Sequence, residues 1–279
     1  MRRSGKCKVV VIDAHQHFWL LKDRQGGWPP PELAAIHRDF LPEDLSSQLQ
    51  GAGVEGTVLV QSLPSVEDTR FMLDLAERTD FILGVVGWVD MKALDAPSAI
   101  ADLARAPKLK GLRPMLQDLP QDDWIDDPAL DHAVAAMRSH GLVFDALVLP
   151  RHLRAMEAFA RRHPELPIVI DHAAKPVISQ GRYSEWRVPM QRLSALGNVW
   201  CKLSGLLTEA GDQKPEAVRP YAETVLELFG ADRTIWGSDW PVLDLFGQYG
   251  DWIRQCRDIV PEVDHTAVFG GNARRFYSL

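Results

Sequence analysis

Eight short runs of β-branched and other apolar residues, separated by stretches with helical spacing, constrain this chain more than any other feature. The runs cover residues 8–14, 54–61, 81–88, 109–115, 142–148, 167–171, 198–203 and 233–237. Runs apolar at nearly every position suit strands covered on both faces, as in a parallel sheet. Between them, residues 42–52, 68–79, 128–140, 151–163, 184–196, 215–229 and 247–260 carry apolar side chains three and four apart. Pro near a start and Gly past an end punctuate two of these, Pro128 with Gly141 and Pro215 with Gly230. Eight strand–helix alternations predict an α/β fold, a single (β/α)8 TIM-type barrel domain spanning residues 1–279. A doubly wound open sheet is the rival, but no GxGxxG follows any strand. The longest irregular piece, residues 19–39, reads as a functional lid or a disordered loop.

Composition narrows the function classes. Lys plus Arg number 31 against 38 Asp plus Glu, a net charge of −7, which argues against a nucleic-acid partner. Cys7, Cys201 and Cys256 are odd in number and widely spaced, so a disulfide framework and a Cys-rich zinc site are both disfavoured and a reducing cytoplasm fits. The basic residues Arg2, Arg3, Lys6 and Lys8 precede an apolar run too short for a signal-peptide core. No run is long enough to span a membrane.

In a barrel, chemistry stands at the carboxyl ends of the strands. The first run ends in Asp13-Ala14-His15-Gln16-His17, with two imidazoles on one face. The sixth ends in Asp171-His172 and the eighth in Gly237-Ser238-Asp239-Trp240-Pro241. His15, His17, His172 and Asp239 can thus ligate one divalent metal or bind and activate water directly. Cations stand there too: Arg113 after the fourth run, Lys202 inside the seventh, and Lys175 close behind His172. Each can polarise a carbonyl or hold a carboxylate. Lys202 must be paired or face a substrate, because a lone buried charge is costly. Trp19 and Trp240 flank the predicted centre and offer ring faces to a sugar, whereas Trp28, Trp88 and Trp124 read as core. His37, His132, His140, His152, His163 and His265 read as surface or packing residues. Ser238 has no GxSxG elbow around it. Asp145 and Arg113 stand where a dinuclear centre would place His and a bridging Lys or Glu, which favours one metal or none.

These residues are familiar. Residues 11–19 (VIDAHQHFW), 111–118 (GLRPMLQD), 168–176 (IVIDHAAKP), 202–206 (KLSGL) and 237–242 (GSDWPV), with Gly270-Gly271-Asn272-Ala273 near the end, resemble the lactonase branch of the amidohydrolase superfamily. That branch includes enzymes for L-fuconolactone and L-rhamnonolactone, and also dicarboxylate lactonases. The resemblance implies hydrolysis of a sugar-derived, L-fuconolactone-like aldonolactone, a small-molecule partner, by a monomer or homodimer. It implies Asp239 as the base, a His15, His17 and His172 centre, and Arg113 and Lys202 or a metal polarising the carbonyl. Trp19, Gln117, Lys175 and Trp240 would contact substrate. One divalent metal, zinc before others, is implied, although some members work without one. Pro114 replaces a His that follows the fourth-strand Arg in many lactonases. A metal-dependent decarboxylase, a dicarboxylate lactonase and a non-catalytic ligand-binding barrel are the other readings.

Overall fold

A computed structural model of the chain describes residues 10–24 and 27–279. Cys7 and the basic residues at 2, 3, 6 and 8 lie outside the described residues. Eight strands follow one another in parallel: β1 Val11–Gln16, β2 Val54–Val60, β3 Ile82–Gly87, β4 Leu109–Leu112, β5 Val143–Ala146, β6 Ile168–Ile170, β7 Val199–Leu203 and β8 Thr234–Trp236. Each pairs with its sequence neighbour. The ring closes just beyond the ends of β1 and β8, where Asp239 N–H donates to His15 O (2.8 Å) and His17 N–H donates to Trp240 O (2.8 Å). This is the (β/α)8 barrel that the alternation predicts.

The helices are α1 Pro42–Ala52, α2 Val66–Arg78, α3 Ala96–Leu103, α4 Asp131–Ser139, α5 Leu153–Arg162, α6 Tyr183–Ser194, α7 Leu206–Ala210, α8 Arg219–Phe229, α9 Tyr249–Ile259 and α10 Asn272–Tyr277. Local chemistry sets several of their ends. Pro42 opens α1, the Asp44 carboxylate accepts the Leu41 N–H, and Gly53 closes the helix with φ 70°. Ser65 caps α2 by accepting the Asp68 N–H. The helical spacing finds all of the longer helices but passes over α3, whose alanine-rich eight residues give little periodic contrast. The helix expected over 215–229 divides into a tight turn, Pro215–Val218, and α8, which restarts one residue before Pro220.

Two apolar layers result. Outside, the helices pack on the outward residues of the strands, such as Leu59, Phe144, Ile168 and Trp236. Inside the barrel, Ile12, Val58, Val86, Val143, Val169 and Ile235 form a separate cluster, joined by Phe276 and Tyr277 of α10. The carboxyl-terminal helix therefore packs into the barrel core. Above that apolar layer the interior turns polar, and there the predicted residues gather.

Candidate active site

The first strand delivers two imidazoles through an irregularity. Asp13 pairs with Thr57 and Gln16 with Leu59, so three steps on β1 match two on β2. An extra residue of this kind re-aims side chains beyond it. Asp13 anchors the region: its carboxylate accepts from Ser238 N–H (2.8 Å), Ser238 Oγ (2.6 Å) and Tyr249 OH (2.9 Å). These bonds tie β1 to the segment carrying Asp239. Burial lifts the Asp13 carboxyl to about 6 against those donors.

Asp239 and His172 both occupy left-handed backbone, with φ 63° and 50°. Non-glycine residues adopt that region at a cost, commonly where function holds them. His172, Ala173, Ala174 and Lys175 form one consecutive left-handed turn after β6. Gly205 makes room for it. With φ 64°, a Cβ there would lie 2.6 Å from His172 Nδ1.

Three ring nitrogens converge on one carboxylate oxygen. His17 Nε2 lies 3.3 Å from Asp239 Oδ1, and His15 Nε2 and His172 Nε2 each lie 3.7 Å from it. His17 Nδ1–H donates to Val60 O (2.6 Å), and His172 Nδ1 meets Ser204 Oγ at 2.9 Å. Those contacts fix the rings and turn Nε2 to the centre. Burial, then the Lys202 ammonium, keeps His15 well below the ordinary imidazole range. Burial likewise lowers His17, and takes His172 to about 4. Burial alone would raise Asp239, but His172, with His17 and His15, overrides it and holds the carboxyl well below its usual range. At neutral pH the centre is therefore a carboxylate among neutral imidazoles. Donor atoms of His15, His172 and Asp239 all lie within 4.8 Å of one another. Two neutral nitrogens and one anionic oxygen suit a divalent ion of zinc type. His17 Nε2, 3.3 Å from the same carboxylate oxygen, stands beside that trio.

A buried charged layer lies beneath. Lys202 Nζ is 2.5 Å from Asp145 Oδ2, 3.0 Å from Asp171 Oδ1 and 3.2 Å from His15 Nδ1. Arg113 Nη1 donates to Asp171 Oδ2 (3.2 Å) and stands 3.4 Å from His15 Nε2, while Nη2 donates to Gln61 O. Tyr277 OH, from α10, donates to Asp145 Oδ2 (2.7 Å). Two cations thus balance two carboxylates. Lys202 has no exposed surface and does not line the mouth. Its reach is to His15 and two aspartates, which corrects the direct carbonyl-polarising role expected for it. Sequence reasoning required a partner for Lys202 but did not find Asp171 and Tyr277 as members of this layer.

The centre opens to a mouth of about 470 Å³ lined by His17, Arg113, Gln117, His172, Lys175 and Asp239, with Trp28, Leu147 and Phe246 as apolar walls. Gln117 and Lys175 stand where the resemblance puts them, and Lys175 Nζ donates to Gln117 Oε1 (3.0 Å). Trp19 and Trp240 do not line it. Each is 1% exposed, and both stack edge-on against Phe40, at 5.2 and 5.1 Å. The aromatic wall is instead Trp28, 39% exposed and resting on Trp19, with Phe246, 41% exposed, opposite in the chain's last third. Nothing in their spacing marks them, because both sit in irregular loops. Glu209 of α7 also escaped notice: its Oε1 is 3.4 Å from Lys175 Nζ. Burial raises its carboxyl, opposed by Lys175.

A family model described as amidohydrolase matches residues 12–279. The L-fucono-1,5-lactonase of Burkholderia ambifaria is 58% identical over 277 residues, spanning 96% of this chain and 95% of its own length. The L-fucono-1,5-lactonase of Burkholderia multivorans is 32% identical over 289 residues, spanning 97% of each. A zinc-bound crystal structure of an amidohydrolase from Burkholderia multivorans superposes with a TM-score of 0.89 at 32% identity, covering 97% of this chain and 99% of that one.

Proposed function

We propose, from the premise that the chain belongs to the amidohydrolase family, that it hydrolyses a neutral sugar lactone of the L-fuconolactone kind to the open hydroxy acid. The observation that carries this reading is the convergence of three neutral imidazole nitrogens on the ionised Asp239 at the end of a mouth with apolar walls and hydrogen-bonding groups. Near-full-length identity of 58% to a lactonase supports the substrate class. Two buried free thiols, Cys201 and Cys256, support a reducing, cytoplasmic setting.

Water adds through its oxygen to the lactone carbonyl carbon while Asp239 accepts its proton. The backbone bond from Asp239 N–H to His15 O holds that residue in place. Arg113, whose Nη1 faces the centre, stabilises the developing oxyanion. The intermediate collapses, the ring C–O bond breaks with its electron pair on the ring oxygen, and the proton held by Asp239 passes there to give the hydroxyl. A divalent ion on His15, His172 and Asp239 would supply Lewis acidity for the water and the carbonyl.

A pH-indicator assay on aldonolactones, run as purified, after chelation and with added zinc, tests the reading. Acid release from L-fuconolactone is expected, falling roughly 100-fold or more in Asp239→Asn. Silence from the folded, metal-supplied protein, or full activity in the Asn variant, overturns it.

A further inference from the structure

The geometry points to Glu209 as a specificity-determining residue: by pairing Lys175, it leaves the mouth without an unpaired cation and turns the site away from lactones that carry a ring carboxylate. This rests on the lactonase reading above and goes beyond it.

Lys175 lines both the mouth and an adjoining cavity of about 440 Å³, whereas Glu209 lines only the second. The pair stands on the partition, with Lys175 Nζ shared between Gln117 Oε1 (3.0 Å) and Glu209 Oε1 (3.4 Å). Both side chains are largely enclosed, 23% and 20% exposed, so water screens them only in part. Glu209 therefore offsets the ammonium without standing where substrate binds. The other mouth cation, Arg113, is matched in the same way by Asp171, which lies beneath the mouth. Both cations that face substrate thus have their charge answered from behind, and the lining carboxylates Asp118 and Asp239 keep theirs. A dicarboxylate ligand needs an unspent cation; an uncharged polyhydroxy ring needs donors and acceptors, which Lys175 and Gln117 still supply. Ring opening turns the neutral substrate into an anion, so the same wall has no hold on the product.

The test compares an aldonolactone with an aldarolactone, the same kind of ring bearing one free carboxylate. The quantity measured is the ratio of their kcat/KM values in one preparation, so any inactive fraction cancels. Wild type is expected to favour the neutral ring, and E209Q to lower that ratio roughly tenfold by freeing Lys175. K175M/E209Q should lose the gain. An unchanged ratio in E209Q overturns the inference, as does a gain that persists in the double variant. If wild type opens no lactone at all, the lactonase reading fails, and calorimetry still decides the inference. E209Q must then bind a free aldarate dianion about tenfold more tightly than wild type, and equal affinities overturn it.

Discussion

At the scale of single residues, the molecule separates groups that meet substrate from groups that hold them. Lys202 is the clearest of the second kind. It stands with no exposure between Asp145 and Asp171. Lys202→Met keeps the shape but leaves two facing carboxylates without their ammonium. Removing one partner from a buried ion network typically costs about 3–5 kcal/mol. The urea midpoint of Lys202→Met should fall accordingly, and an unchanged midpoint would show the layer to be energetically idle. The chemistry-bearing residues His15, His172, Arg113 and Asp239 were legible in the sequence because each follows an apolar run, and a barrel turns such positions into one mouth. The substrate wall was not. Trp19 and Trp240 lie nearer in sequence to the centre than Trp28 and Phe246, yet they are behind it. Exposure in a loop depends on what packs over it, and neighbours in sequence do not record that.

At the scale of elements, two short irregular pieces do what regular structure cannot. The bulge in β1 turns His15 inward, and the left-handed turn after β6 presents His172. Neither has a periodic signature, although the strands that bear them do. That is why all eight strands were readable while their exact ends were not: β1 runs on to Gln16, and Asp171 belongs to the turn after β6 rather than to the strand. The turn depends on Gly205. Gly205→Ala brings a methyl group to 2.6–2.9 Å from His172 Nδ1, Cγ and Cβ and places Ala at φ 64°. The strained backbone alone costs about 1 kcal/mol, and the ring must move. Lactone turnover should fall at least roughly tenfold, as small displacements at a reacting centre do, while far-UV circular dichroism stays native. Unimpaired turnover would mean that His172 need not hold its present place.

At the scale of the whole molecule, the fold keeps imidazoles neutral in its interior, and that couples stability to pH. His172 titrates at about 4 when folded and 6.5 when free. Between those values the unfolded chain binds the extra proton, so stability climbs with pH across the window and is lost on acidification. The shift corresponds to roughly 3 kcal/mol, and His15 and His17 act in the same direction. Asp13 opposes them: with its carboxyl lifted from 3.8 to about 6, the folded chain retains a proton that the unfolded one has released. Asp68, Asp145 and Asp244, each also lifted to about 6 by burial, act as Asp13 does, so the histidine share is read by difference. In chelated protein, the wild-type urea midpoint should therefore gain more, or lose less, from pH 4.5 to pH 7 than that of His172→Gln. The same pH dependence in both proteins would contradict the neutral state assigned to the His172 ring.

Tyr277 gives the architecture a direction in time. Its hydroxyl closes the charged layer on Asp145, which Lys202 links to His15 on the first strand. A chain emerging from the ribosome exposes His15 with the first strand and Tyr277 only after all eight have appeared. Throughout that interval the nascent barrel carries its buried aspartates and lysine without the helix that covers them from below. A chain interrupted before α10 thus has every catalytic side chain translated and no finished floor beneath them.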